Sequence, residues 1–261
     1  MVARILVILT IAACSGKPRP EEATTSVAAT GDVAPPGDAA APSPGDADPG
    51  ARLGPGDLQI RVEWPGVPVA ARSSPGRTPC NTPRAPSVAP TTTWGVPDAI
   101  VVIDGAALPL TAARLTLADC TLTPRVAVGG SLALTSAVDR PAKLVLRKRG
   151  SLASAGDLAA GDPITVLLPI AGHTVTAALE LGALYSLETD DAEPEVAFIA
   201  AIPGGAVTDA TGQASARGVA AGPHAITAWL PPRAGQPGRI GRGVATVAAG
   251  DLAELTVTLA P

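Results

Sequence analysis

The chain has 261 residues, a formal net charge of −4 at pH 7, 28 glycines, 28 prolines and 2% aromatic residues. This content of Gly and Pro is too high for an ordinary helical or α/β protein, and the scattered basic residues form no patch for nucleic acid. With so few aromatic side chains, we expect a modest core of Val, Leu, Ile and Ala.

Residues 1–13 have the features of an export signal. A short basic start, Met1–Arg4, precedes an apolar run that is shorter than the roughly 20 residues needed to span a bilayer. The sequence IAAC at 11–14 resembles the bacterial lipobox, whose cysteine is diacylated and becomes the new N-terminus. We therefore expect a signal peptide over 1–13 and lipidation of Cys14. The alternative is an ordinary secretory signal with an incidental cysteine.

Residues 14–56 are predicted to be the lipidated cysteine and a disordered linker. Pro, Gly, Ala, Asp, Thr and Ser dominate this segment, and apolar periodicity is absent from it. Such a composition buries too little apolar surface to offset the entropy of ordering. Ser15, rather than Asp, follows the cysteine, which resembles lipoproteins sorted to the outer membrane. We expect a lipid-anchored envelope protein that faces the periplasm or the cell surface.

The segment 57–192 reads as a series of short strands. Apolar residues alternate with polar ones at 58, 60, 62 and 64, and Ala99–Asp104 is a short apolar run closed by Gly105. Pairs of apolar residues two apart follow between Leu115 and Leu146, separated by Pro and Gly. Strands at this spacing without a helical stretch favour a sandwich or barrel. We predict an all-β protein with a first β-sandwich over 57–192.

Cys80 and Cys120 are the two cysteines left when Cys14 is assigned to lipid. In an exported protein the oxidising compartment would join such a pair. The bridge would close a loop of about 40 residues and contribute about 3–4 kcal/mol on the chain-entropy model. Two free thiols are the alternative.

Three segments between Ala99 and Val145 form a further pattern: AIVVIDG, DCTLTPRVAVGGSLAL and AVDRPAKLVL. They resemble the cupredoxin-like domains of exported bacterial proteins, which implies a Greek-key β-sandwich for 57–192. The matching positions are Cys120, Pro124, Arg125, Val126, Gly130 and Asp139.

The metal site of that family is not reproduced in this chain. Lys143 stands where the copper-binding histidine would be, and Ala137 stands where the family has Asn. A blue-copper centre needs two imidazoles and a thiolate around one metal, whereas the only histidines here are His173 and His224. We expect no metal and no cofactor, and we place His173 at the surface. A copper-related carrier or electron-transfer protein is the alternative function.

Residues 193–261 contain Thr208, Asp209, Gly212, Gly222 and Trp229 in a characteristic order. This order resembles the carboxypeptidase regulatory-like, transthyretin-like β-sandwich module, which implies a second sandwich over 193–261. We expect the carboxylate of Asp209 to cap a tight turn, and Gly212 and Gly222 to adopt positive φ.

No catalytic constellation is evident, since Gly-x-Ser-x-Gly is absent and histidines are few. We expect a non-enzymatic binding or scaffold module whose partner is an envelope protein or glycan. The alternative is a hydrolase that uses a carboxylate cluster in a solvated loop beside Pro194. The members of that cluster are Asp190, Asp191, Glu193 and Glu195.

Overall fold

The computed structural model describes residues 54–260 except 75, 79, 85, 87, 89–93, 153–160, 192–193 and 234–235. Within these residues the chain forms β-strands in four sheets and one short helix, which confirms the predicted all-β, sandwich-type fold. The predicted signal peptide, Cys14 and most of the predicted linker lie outside the described residues. None of the described helices is long and apolar enough to cross a membrane.

The helix α1 spans Val69–Arg72. The strands are β1 (Gly56–Glu63), β2 (Ile100–Ile103), β3 (Ala112–Ala118), β4 (Thr121–Thr123), β5 (Val126–Val128), β6 (Ser131–Ser136), β7 (Ala142–Lys148), β8 (Pro163–Leu168), β9 (Thr174–Ala178), β10 (Ala183–Thr189), β11 (Val196–Ala201), β12 (Gly205–Val207), β13 (Gln213–Val219), β14 (Gly222–Leu230), β15 (Arg239–Val247) and β16 (Leu252–Thr258).

The four sheets pair into two sandwiches, each with its own apolar core. Sheet I has the order β13-β1-β16 and sheet II the order β12-β2-β14-β15, and together they form the terminal sandwich. Sheet III has the order β5-β11-β10-β7-β8 and sheet IV the order β4-β3-β6-β9, and together they form the inserted sandwich. The inserted sandwich is continuous in sequence, whereas the terminal sandwich is built from both ends of the described chain.

The predicted boundary at 192/193 does not separate these sheets. Strand β1 is antiparallel to β13, with Ile60 opposite Ala214, and parallel to β16, with Ile60 opposite Leu255. Strand β2 pairs with β12 and β14. The first strands therefore belong with the C-terminal segment, and residues 49–261 form one compact unit. The period-two pattern indicates which face of a strand is buried, but it does not indicate the partner.

A third apolar cluster joins the two sandwiches where sheet II packs against sheet III. Phe198 of β11 and Trp229 of β14 meet there, together with Ile100 of β2 and Leu184 of β10. Strands β2 and β11 are therefore buried on both faces. This double burial explains why they read as continuous apolar runs, IVVI and VAFIAA, instead of alternating sequences.

Cys80 and Cys120 form a disulfide with a Cα–Cα distance of 5.7 Å, which confirms the predicted bridge. Cys120 lies in the two-residue turn between β3 and β4, where Asp119 and Cys120 have φ values of 44° and 62°. Left-handed conformations at both central residues are those of a type I′ hairpin. Cys80 lies in the segment between α1 and β2, so the bond ties the terminal sandwich to the inserted one.

Candidate functional site

A cleft of about 350 Å³ opens at the seam between the two sandwiches. Four arginines line it, and we call it the arginine cleft. Its lining residues are Arg84, Arg125, Arg149, Glu188, Pro194, Glu195, Val196, Phe198, Pro232 and Arg233.

The backbone holds the arginines of the inserted sandwich in place. The amide of Phe198 in β11 donates to the Arg125 carbonyl at 2.8 Å, and this bond holds Arg125 beside that strand. Arg149 directly follows β7, and its amide donates to the carbonyl of Leu184 in β10 at 2.7 Å. Both arginines thus extend from the sheet that packs against the terminal sandwich.

The other two arginines come from segments of the terminal sandwich. Arg84 lies in the disulfide-bonded segment, and its amide donates to the Gly76 carbonyl at 2.9 Å, which closes a loop around Cys80. Arg233 follows β14 in a short turn in which its amide and that of Gln236 each donate to the other's carbonyl. The cleft therefore exists only when both sandwiches are in contact.

Glu195 lies between Arg84 and Arg125 at the base of the cleft. Its carboxylate oxygens are 3.5 Å from Nε of Arg84 and 3.4 Å from Nε of Arg125, and its side chain is only 5% exposed. Its amide donates to Oγ1 of Thr189 at 2.9 Å. One carboxylate is thus shared by two guanidinium groups.

Several guanidinium N–H groups of this pair have no hydrogen-bond partner among the described residues. They are Nε and Nη2 of Arg84 and Nε and Nη1 of Arg125, all of them buried. The two Nε atoms attract the Glu195 carboxylate at distances long for a hydrogen bond. Because unpaired buried donors are uncommon and unfavourable in native proteins, an acceptor that reached this pair would stabilise it.

Glu188 is the second shared carboxylate. Nη2 of Arg149 donates to its Oε1 at 2.5 Å, and Nε of Arg147 lies 3.5 Å from Oε2. Ser186, which is fully buried, accepts from Nε of Arg149 at 2.8 Å and donates to Glu188 at 2.8 Å. These contacts fix the guanidinium of Arg149 at the cleft wall.

Arg233 is the most deeply buried of the four arginines, with 5% of its side chain exposed. Its Nη2 donates to Oδ2 of Asp98 at 2.7 Å, and its Nη1 donates to the carbonyl of Pro86. Burial lowers the pKa of Arg233, and repulsion from the charge of Arg125 lowers it further. A guanidinium stays protonated in a protein, so this lowering reflects the unfavourable free energy of a crowded, desolvated positive charge.

The charges around the cleft do not balance. Among the described residues, five guanidinium groups (the four of the lining and that of Arg147) contact three carboxylates, an excess of two positive charges. The whole chain has a net charge of −4, so the net charge of the cleft is opposite in sign to that of the protein. Such a site attracts anions and holds planar or tetrahedral oxyanions through the guanidinium fork.

The lining of this cleft, as far as the described residues form it, does not include the predicted turn residues. Oδ1 of Asp209 accepts from the amide and hydroxyl of Thr211 at 2.8 and 2.7 Å and from the amide of Gln213 at 3.1 Å. The hydrogen bond from Thr211 lowers the pKa of Asp209. Gly212 and Gly222 have φ values of 83° and 133°.

The carboxylates proposed for hydrolysis do not form one cluster in the described residues. Asp190 and Asp191 line a different cleft of about 210 Å³, and Asp190 pairs with Lys143 at 2.9 Å. Glu195 does not lie in a solvated loop, because the two arginines bury it. Glu193 lies outside the described residues. Pairing with guanidinium groups offsets part of the cost of burying the Glu195 charge, and the sequence contains no sign of this pairing.

The two histidines occupy different environments. His173 is exposed, as expected from its position. His224 is buried, with Nδ1 2.9 Å from the carbonyl oxygen of Asp104 and Nε2 2.8 Å from that of Ala220. These two contacts raise the pKa of His224, because only the imidazolium can donate through both nitrogens. In the described part of the chain, no group of three or more His, Cys, Asp and Glu could hold a metal ion.

Sequence reasoning missed the arginine cleft. In the sequence, Arg125 stands only in a strand motif, and Arg84, Arg149 and Arg233 belong to no motif. The excess of Arg over Lys was the one available signal, since a planar fork suits recognition of oxyanions better than an ammonium group. Comparisons with protein-family models, with curated proteins and with solved structures find no match to this chain.

Proposed function

We propose that this chain is a non-enzymatic binding module of a bacterial cell envelope and that the arginine cleft holds an anionic group of its ligand. The observation that supports the proposal is the excess of two positive charges beside unpaired guanidinium donors of Arg84 and Arg125. Anions with acceptor oxygens would satisfy both the charge and the donors.

Binding fits the lining better than catalysis does. The two carboxylates of the cleft, Glu188 and Glu195, are each shared by two arginines. A general acid or base must be able to exchange a proton with the substrate, and an arginine-paired carboxylate is held in one position instead. The lining is therefore suited to holding a ligand.

The proposed location rests on the N-terminal sequence. The IAAC sequence at 11–14 supports a lipid on Cys14, and Ser15 supports the outer membrane. Two or more acyl chains give stable anchoring, which a single chain does not. The partner in this proposal is an envelope protein or glycan that presents an acidic group.

The family resemblances remain proposals about ancestry. We propose that the inserted sandwich, with its Cys120–Val145 pattern, is a metal-free relative of cupredoxin-like domains. The Thr208–Trp229 pattern would then be a transthyretin-like module completed by β1 and β2. These assignments bear on the origin of the fold and do not affect the binding proposal.

Titration calorimetry with the purified full chain in detergent tests the function. The probes are acetate, succinate, sulfate and phosphate, with ionic strength held constant by chloride. We expect at least one anion to bind the wild type and an Arg84→Gln/Arg125→Gln variant to lose that binding. A matched control is Arg114→Gln/Arg217→Gln, which removes two exposed arginines on β3 and β13.

The control variant should bind as the wild type does. The proposal is contradicted if no anion binds at millimolar concentration, or if both double variants lose affinity equally. An equal loss of anion affinity in both double variants would indicate that net charge, and not a specific site, controls binding.

A further inference from the structure

We infer that the anionic group taken by the arginine cleft is a compact, doubly charged phosphoryl group, such as a phosphate monoester. This inference rests on the proposed function and narrows its ligand. Free phosphate, a phosphorylated glycan and a lipid headgroup all present this chemistry.

Charge balance supports a doubly charged group. Among the described residues, Glu188, Glu195 and Asp98 neutralise three of the five guanidinium groups, and two positive charges remain. A monocarboxylate would neutralise one of them and leave the other without a counter-charge. A phosphate monoester carries a charge of about −1.5 to −2 near neutral pH.

Donor geometry supports a compact group. Arg84 and Arg125 both contact the carboxylate of Glu195, so their guanidinium groups lie on either side of one point. Both side chains also line the cleft, so a small anion bound beside Glu195 would lie near both positive charges. An extended dicarboxylate would place its second charge away from this point, whereas a phosphoryl group offers three acceptor oxygens at it.

The walls of the cleft are also suited to a group attached to a larger molecule. Phe198, Val196 and Pro232 give it apolar surface beside the arginines. The volume of about 350 Å³ exceeds that of a phosphoryl group, which leaves room for the first part of an attached sugar or glycerol.

Competition and direct titration with the full chain test the inference. The small probes are inorganic phosphate, sulfate, acetate and succinate at constant ionic strength. We expect phosphate and sulfate to bind at least tenfold more tightly than acetate and succinate. Arg84→Gln and Arg125→Gln should each weaken phosphate binding about tenfold or more, the usual scale for loss of a charged hydrogen bond.

The pH dependence separates a dianion from a monoanion. The second pKa of a phosphate monoester is about 6, and sulfate stays doubly charged throughout. We expect the ratio of glycerol 1-phosphate affinity to sulfate affinity to fall as the pH is lowered from about 8 to about 5. Taking the ratio cancels any titration of Glu188, Glu195 and Asp98, the carboxylates that face the cleft arginines.

Two further probes identify the molecule that carries the phosphoryl group. They are glycerol 1-phosphate and phosphatidylcholine vesicles that contain phosphatidic acid. Tighter binding of glycerol phosphate than of free phosphate indicates a phosphoryl group attached to a larger molecule. A further gain in affinity on vesicles indicates a lipid headgroup.

Circular dichroism checks the fold of each variant. The Arg84→Lys variant keeps the charge but loses the guanidinium fork, and it should retain intermediate affinity.

Two results overturn the inference in different ways. If acetate or succinate binds in the cleft as tightly as phosphate, the phosphoryl assignment is wrong while the proposed anion-binding function survives. If no anion binds and the arginine variants behave as the wild type does, both proposals are wrong.

Discussion

Phe198 and Trp229 meet edge to face across the seam between the two sandwiches, with ring centroids 5.5 Å apart and an interplanar angle of 86°. Phe198 is the chain's single phenylalanine, and Trp229 is fully buried. The pair joins sheet II to sheet III, and Phe198 also lines the arginine cleft. This contact therefore links the stability of the protein to the integrity of the candidate site.

Replacement of Phe198 by Ala should lower the free energy of unfolding by about 3–5 kcal/mol, because it leaves a cavity in the seam. Urea denaturation measures this loss. Val244→Ala is the control, because Val244 is 65% exposed and should change stability by no more than about 0.5 kcal/mol. Similar small losses for both variants would show that the seam contributes little.

Replacement of Cys80 and Cys120 by Ser should lower the free energy of unfolding by about 3–4 kcal/mol, since the bridge spans a sequence separation of 40. Denaturation of the wild type with and without reductant measures the same contribution of the disulfide to the free energy of unfolding. Because Arg84 lies in the segment held by Cys80, anion affinity should fall as well. Unchanged stability after complete reduction would contradict the proposed contribution.

His224 should make stability depend on pH. Its folded-state pKa is raised above the ordinary value of 6.5, so its contribution is full below that value and is lost as pH rises through the folded pKa. His224→Leu should abolish this component and cost about 1 kcal/mol at low pH, because the carbonyls of Asp104 and Ala220 lose their donor. The exposed His173→Gln variant should keep the wild-type pH profile.

Gly212→Ala should destabilise the protein more than Gly222→Ala does. Both glycines have positive φ, but an added Cβ at Gly212 would lie 2.4 Å from the amide nitrogen of Val96, while the position at Gly222 is open. The overlap forces the Asp209 turn away from the neighbouring backbone. Thermal unfolding of the two variants side by side measures the difference, and equal melting temperatures would refute it.

Cys14→Ala should abolish the proposed lipid anchor. We expect wild type to incorporate labelled palmitate and to partition into the detergent phase, and the variant to do neither. The variant's anion affinity should be unchanged, since the cleft is formed by residues 84–233. Equal labelling of both chains would show that the lipid is not on Cys14.

The sequence by itself determined the local features of this protein. The alternation around Ile60, the apolar run before Asp104 and the Asp209 turn each reflect contacts between near neighbours, and such patterns are visible in the chain. The pairing of Cys80 with Cys120 followed from the number of cysteines and the expected compartment.

Only the tertiary structure decided which strands share a sheet and where the arginines meet. Alternation shows that Ile60 has a buried face, but strands β13 and β16, which pair with it, come more than 150 residues later. Arg84 and Arg233 reach Arg125 only because one sandwich is inserted into the other. Burial of charges depends on partners brought together by folding, and no local pattern encodes those partners.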